Sequence, residues 1–303
     1  MTGNFKIKTI FLAIWLLVLA VVPLYAKDIT ILFTGDTHAA LYPCHCPIEP
    51  DGGLARRSAL IKRLRKNNPN TLVLEAGSFF AGGIMDEYSL NSELDKERTG
   101  VVLKAMELMG YDAAAVSGEE FNFGKDFIEG AAKRNKIPFL TCNVTDSVFK
   151  PYIIKEVAGI KIGIIAATEP QAQVKAEGLK FVDLKSALAR QVIELRRSGV
   201  NIVVFLSHLG DAVDSDIIKS IPDIDVLICG YSRKEDAAPK IGSTIIAPSI
   251  WQGRMLGKLT LKINGQQIGD YKIENIRLSD QVSNDPEVAR LVPVCFSDKD
   301  CQK

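Results

Sequence analysis

Apolar positions in this chain follow two periods in turn. The runs "DITILF" (28–33) and "TLVLEA" (71–76) are short, apolar and rich in branched side chains, as strands are. Between them, Gly53 to Lys66 carries Leu54, Leu60, Ile61 and Leu64 at helical spacing, and 96–109 repeats the pattern with Val102, Ala105, Met106 and Met109. A strand at 112–116, a helix at 125–134 and a strand at 137–142 continue the alternation. Residues 152–168 read as two strands turning at Ala158-Gly159, and Leu184, Leu188, Val192 and Leu195 mark a further helix. Strands recur at 201–207, 225–229, 243–247 and 257–263. Strand–helix alternation followed by meandering strands predicts one α/β domain over 27–275, two packed sheets with helices outside. Beyond it, "SNDPEVARLV" predicts a short capped helix, and a polar tail to residue 303 holds Cys295 and Cys301.

The first 26 residues read differently. Lys6 and Lys8 precede an apolar run, Ile10 to Val22, and "PLYA" offers cleavage after Ala26. This is the anatomy of a signal peptide, and the run is too short for an ordinary membrane span. Leu24 stands where a small residue is preferred, so retention as an uncleaved anchor is the alternative. The expected location is periplasmic or secreted, with no membrane contact beyond that segment. The remainder is ordinary: 47% hydrophobic, 24% charged and a net charge of +1, a balance that offers nothing to a nucleic-acid polymer. An exported chain with six cysteines can form disulfides.

Polar residues gather where the strands end: "GDTH", "EAGS", "SGEEFNFG", "SHLGD" and "CGYSRKE". In open α/β folds such loops share one crevice. The chain has three histidines. His38 and His208 each follow an apolar strand, and His45 lies between Cys44 and Cys46. With Asp36, these are the imidazole, carboxylate and thiolate ligands that zinc and its neighbours take.

The order of Asp36-x-His38, "GGLARR", "EAGSFF", "GYDAAAVSGEEFNFG", "PYIIKEVAGIKIGIIAAT", "LSHLGD" and "IDVLICGYS" resembles the metallophosphatase domain of bacterial 5′-nucleotidases, which are calcineurin-like phosphoesterases. The resemblance covers about 28–275. It implies a four-layer α/β/β/α sandwich, a two-metal centre and phosphomonoester hydrolysis. The segment "SNDPEVARLV" resembles the lead into a nucleotide-binding domain, which is expected to be absent here.

The resemblance also implies a site in disrepair. Asp36, His38 and His208 match metal ligands. Ser78 stands where the bridging Asp belongs, Gly118 where the Asn belongs, and Glu119 where the catalytic His belongs. Tyr231 and Arg233 fall on the paired histidines of a Gly-His-x-His block. A two-metal mechanism needs both ions held about 3.5–4 Å apart, which a serine does poorly. Glu119 remains the candidate catalytic acid, Arg233 a candidate partner for Asp36 in place of an ion, and a divalent metal, zinc or another transition metal, a possible cofactor.

The Cys44-His45-Cys46 loop leaves three readings open: a disulfide to Cys295 or Cys301, a rebuilt soft-metal site, or a redox-active thiol pair. Cys295 and Cys301 could equally bond each other. The expected partners are a small phosphorylated molecule or a redox protein. Cys142 and Cys229 read as buried small side chains, Glu119 and Glu120 as solvated or capping residues, and Trp251 as packing. Asp211, Asp214 and Asp216 read as first-turn helix acids.

Overall fold

The computed structural model describes residues 27–87, 89, 91–231 and 240–293. The segment expected to be a signal peptide, Arg233, Cys295 and Cys301 lie outside them. The elements run in chain order as β1 (Lys27–Thr34), α1 (Leu54–Asn67), β2 (Thr71–Glu75), α2 (Ser92–Met109), β3 (Ala113–Ala115), α3 (Lys125–Arg134), β4 (Phe139–Leu140) and β5 (Val144–Thr145). Then come β6 (Tyr152–Val157), β7 (Ile160–Ala167), β8 (Lys180–Phe181), α4 (Leu184–Arg197), β9 (Ile202–Ser207), α5 (Asp211–Ser220) and β10 (Val226–Cys229). The last elements among the described residues are β11 (Lys240–Ile241), β12 (Thr244–Pro248), β13 (Met255–Asn264), β14 (Gln267–Arg277) and α6 (Pro286–Ala289).

Two six-stranded sheets form, in the orders β14-β13-β1-β2-β3-β4 and β11-β12-β10-β9-β7-β6. Strand alternation makes them stack. Ile29, Ile31 and Phe33 of β1, Leu72 and Leu74 of β2, Ile162 and Ile164 of β7 and Val204 and Leu206 of β9 share one core between the sheets. The intervening residues face outward: Leu32 and Val73 pack with α1, α2 and α3, and Ile165, Val203 and Phe205 pack with α4 and α5. The result is four layers, α/β/β/α, as expected. Each fully buried Leu, Ile or Phe contributes about 1.5–3 kcal/mol, so all three interfaces are strongly specified.

Some boundaries move. Helix α2 begins at Ser92 rather than near 96, because Asn91 caps the amides of Glu93 and Leu94. Strand β14 was not among the expected strands. It pairs with β13 across a register shift at Lys262/Ile263, which breaks the alternation that would have revealed it. Among the described residues no helix is long and apolar enough to cross a membrane.

Candidate functional site

The loops after β1, β2, β3, β7, β9 and β10 meet at the carboxyl ends of the strands. Their backbones approach closely. A Cβ on Gly230 would lie 2.2 Å from the Ala76 carbonyl oxygen, and one on Gly35 would lie 2.6 Å from the Gly230 Cα. The first two loops are laced together by Asp36 N–H to Gly77 O (2.9 Å) and His38 N–H to Ser78 O (2.9 Å). Asp36 (φ 56°), His38 (φ 45°) and Ser78 (φ 57°) all take the left-handed conformation that L-residues avoid. Such strain gathers at sites that need side chains aimed in a fixed direction.

Asp36, His38 and His208 converge. Asp36 Oδ1 lies 3.0 Å from His208 Nε2 and 3.0 Å from His38 Nε2. The first contact is a hydrogen bond; the second is an equally short ion-pair contact that is not aligned as one. His38 Nδ1 faces Ser78 Oγ at 3.3 Å. Burial alone would push the Asp36 carboxyl up, but the two imidazoles outweigh it and hold it at about 2. Burial pulls the His208 imidazole down; Asp36, and more distantly Glu169 and Glu120, lift it above its ordinary value. The Tyr231 ring lies 5.5 Å from that of His208.

Glu119 does not join this cluster. Its carboxylate accepts from Asn122 Nδ2 at 2.9 Å and lies 3.8 Å from Lys175. Glu120 corrects the solvated reading. It is fully buried and closes a capping box with Ser117, and it also accepts the amides of Phe79 (2.8 Å) and Phe80 (3.2 Å). It thereby ties the loop after β2 to the loop after β3. Asp214 is a first-turn acid but a buried one, bonded by Ser207 Oγ, and burial pushes its carboxyl up to about 7. Asp216 is not in the first turn; it pairs with Lys185.

The Cys44-His45-Cys46 loop is fastened elsewhere. Cys44 N–H donates to Asp51 O (2.8 Å), Arg56 reaches Pro50 O (2.6 Å), and Arg277 at the end of β14 holds Glu49 (2.6 Å) and Asp51 (2.9 Å). Cys44 is buried with its thiol 3.7 Å from Glu49 O, Cys46 is exposed, and both are free thiols. Cys142 and Cys229 are buried free thiols, as expected. Among the described residues no three His, Cys, Asp or Glu side chains are already arranged to hold a metal ion. The rebuilt cysteine–histidine site is thus not assembled in them.

Two residues of the crevice went unnoticed in the sequence. Gln252 (φ 56°) donates its N–H to Asp36 O at 2.8 Å. Glu169, just past β7, accepts the Gly118 N–H at 2.7 Å. The strand-end rule that selected the other loops also selects "ATEP" (167–170), so Glu169 was within reach of it.

No family model matches the chain. The trifunctional nucleotide phosphoesterase protein YfkN of Bacillus subtilis is 26% identical over 313 residues, 85% of this chain and 21% of that protein. The 5′-nucleotidase of Rattus norvegicus is 29% identical over 245 residues, 72% of this chain and 41% of that one. The crystal structure of the calcineurin-like phosphoesterase YfkN from B. subtilis superposes with a TM-score of 0.70 at 24% identity, covering 88% of this chain and 96% of that one. The fold is that of the calcineurin-like metallophosphatases. The chain thus spans less than half the length of these two sequence relatives.

The two-ion centre implied by this metallophosphatase fold can be tested against the residues present, and they do not fit it. Ser78 offers a hydroxyl engaged with His38 where a bridging carboxylate is needed, Gly118 offers no side chain, and Tyr231 offers a phenol. The surviving donors contact each other instead.

Proposed function

We propose that this chain is an exported, 5′-nucleotidase-like metallophosphoesterase homologue whose two-ion hydrolytic centre has been dismantled and whose crevice is kept for binding. Its relatives support the nucleotidase-like kind. One observation carries the rest: a single carboxylate oxygen, Asp36 Oδ1, stands 3.0 Å from both surviving imidazoles, with Ser78 and not an acid beside them. Two ions cannot be bridged there, and no imidazole stands at 119 to protonate a leaving group. The charged, strained crevice remains suited to a small phosphorylated molecule or a cation. Cys44 is held by Asp51 and Glu49 and not by the crevice residues, so thiol exchange with a redox partner would be a separate activity.

The test is hydrolysis of nucleoside 5′-monophosphates and p-nitrophenyl phosphate by the exported chain supplied with zinc, manganese or magnesium. Turnover should stay far below the common enzyme range of about 1–10³ s⁻¹ and should be unmoved by Asp36→Ala. Turnover in that range, abolished by Asp36→Ala or His208→Ala, would overturn the reading.

A further inference from the structure

The fold leaves the two thiols of the Cys44-His45-Cys46 loop without structural work. The neck of the loop is closed by a bridge between Pro43 and Gly52 and by Cys44 N–H donating to Asp51 O at 2.8 Å. Arg56 holds Pro50 O at 2.6 Å, and Arg277 holds Glu49 at 2.6 Å and Asp51 at 2.9 Å. These ties fix the loop while Cys44 and Cys46 are both free, so no disulfide is needed to staple it. Cys44 is 8% exposed, and its thiol makes a long contact, 3.7 Å to Glu49 O. Cys46 is exposed, so packing does not account for a cysteine there. An exposed thiol is open to oxidation and exchange.

The backbone keeps the two cysteines within reach of each other. Two residues of chain span at most about 6.6–7.2 Å, and a disulfide takes Cα atoms about 4.4–6.8 Å apart. A pair with one residue between them therefore stays at or near bonding range whatever the loop does. The ring it closes is small and constrained, so the bond is strained and readily reduced. That is the character of exchange-active disulfides and not of structural ones. Exposure then divides the roles. An incoming molecule can reach the sulfur of Cys46, whereas the buried sulfur of Cys44 is sheltered from it and has its near neighbour in its own chain.

We infer that Cys44 and Cys46 form a thiol–disulfide exchange site whose substrate is the disulfide of a second molecule. The Cys46 thiolate attacks one sulfur of that disulfide, forming a mixed S–S bond and releasing the other sulfur as a thiolate. The Cys44 thiolate then attacks the Cys46 sulfur, closing the Cys44–Cys46 bond and releasing the second thiolate. The two protons lost by the cysteines go to the two departing sulfurs. The dithiol is oxidised by two electrons and the incoming disulfide is reduced by two. Strain in the small ring keeps the reverse direction open, so the oxidised pair can return its disulfide to a dithiol. The site shares no residue with Asp36, His38 and His208, and the inference stands apart from the hydrolytic reading.

The experiment equilibrates the full chain, in a Cys295→Ser/Cys301→Ser background and with chelator present, in mixtures of reduced and oxidised glutathione. Free thiols are then alkylated and the disulfides mapped by mass spectrometry. In excess oxidised glutathione the parent should carry a Cys44–Cys46 bond and retain no glutathione. Excess reduced glutathione should reopen that bond without denaturant. Cys44→Ser should keep a single glutathione on Cys46, because the resolving thiol is gone. Cys46→Ser should acquire neither bond nor adduct while folded. Cys44→Ala, which suits the buried position, serves as the second variant if Cys44→Ser folds poorly. Three results would overturn the inference: no Cys44–Cys46 bond in any mixture, a bond that opens only after unfolding, or glutathione retained by the parent as fully as by Cys44→Ser. Phosphomonoester turnover reads the other centre and is unaffected by any of them.

Discussion

Replacing Glu120 by Gln alters almost no shape, yet it should cost measurable stability. Oε2 accepts Ser117 N–H (2.7 Å), Ser117 O–H (2.7 Å) and Ser78 N–H (3.3 Å), and Oε1 accepts Phe79 N–H (2.8 Å) and Phe80 N–H (3.2 Å). A glutamine must turn its NH₂ toward one of these sets. Toward Oε1 it leaves the Phe79 and Phe80 amides facing a donor; toward Oε2 it leaves only the Ser117 amide so, because Ser78 N–H keeps Ser117 Oγ at 3.1 Å. At about 1–3 kcal/mol for that amide, the cheaper orientation costs about 1–3 kcal/mol, a sizeable part of the 5–15 kcal/mol typical of a domain. A mid-range loss of about 2 kcal/mol corresponds to a melting temperature lower by about 4–8 °C. Urea unfolding of Glu120→Gln against the parent at constant pH, followed by circular dichroism, measures it. A shift under about 1 kcal/mol would refute the reasoning, since it would mean the Ser117 amide finds another acceptor at no cost.

Two further outcomes follow from the buried acids and thiols. Burial pushes Glu75 up to about 8, so the folded chain keeps a proton that the unfolded chain releases near 4.5. Between those values the folded state binds more protons, and stability should fall as pH rises, by up to about 1.4 kcal/mol per pH unit. Glu75→Gln should flatten that slope between pH 5 and 8; parallel pH profiles would count against it. In a Cys295→Ser/Cys301→Ser background, the exposed Cys46 should react with a thiol reagent in the native state. Cys142, whose thiol burial pushes up to about 12, and buried Cys229 should wait for denaturant, and their prompt labelling would show the strand ends are open.

The sequence by itself determined the layers and the rim. Alternation in β1 sends Ile29, Ile31 and Phe33 to one face and Leu32 to the other, and local spacing alone carries that information. The strand-end rule likewise selected Asp36, His38 and His208, because where a strand stops is a local property. Strand β14 escaped because its register shift breaks the period and its edge position leaves many of its side chains outside. Asp214 and Glu120 looked like helix-start acids, which they are. Their burial depends on what packs over them, and no spacing encodes that. Only the tertiary structure decided that Glu169 meets Gly118, 51 residues away, and that the Cys44-His45-Cys46 loop is clasped by Arg277. Periodicity reports which face of an element is buried. Which side chains meet depends on how distant segments stack, and chemistry between side chains is set by that meeting.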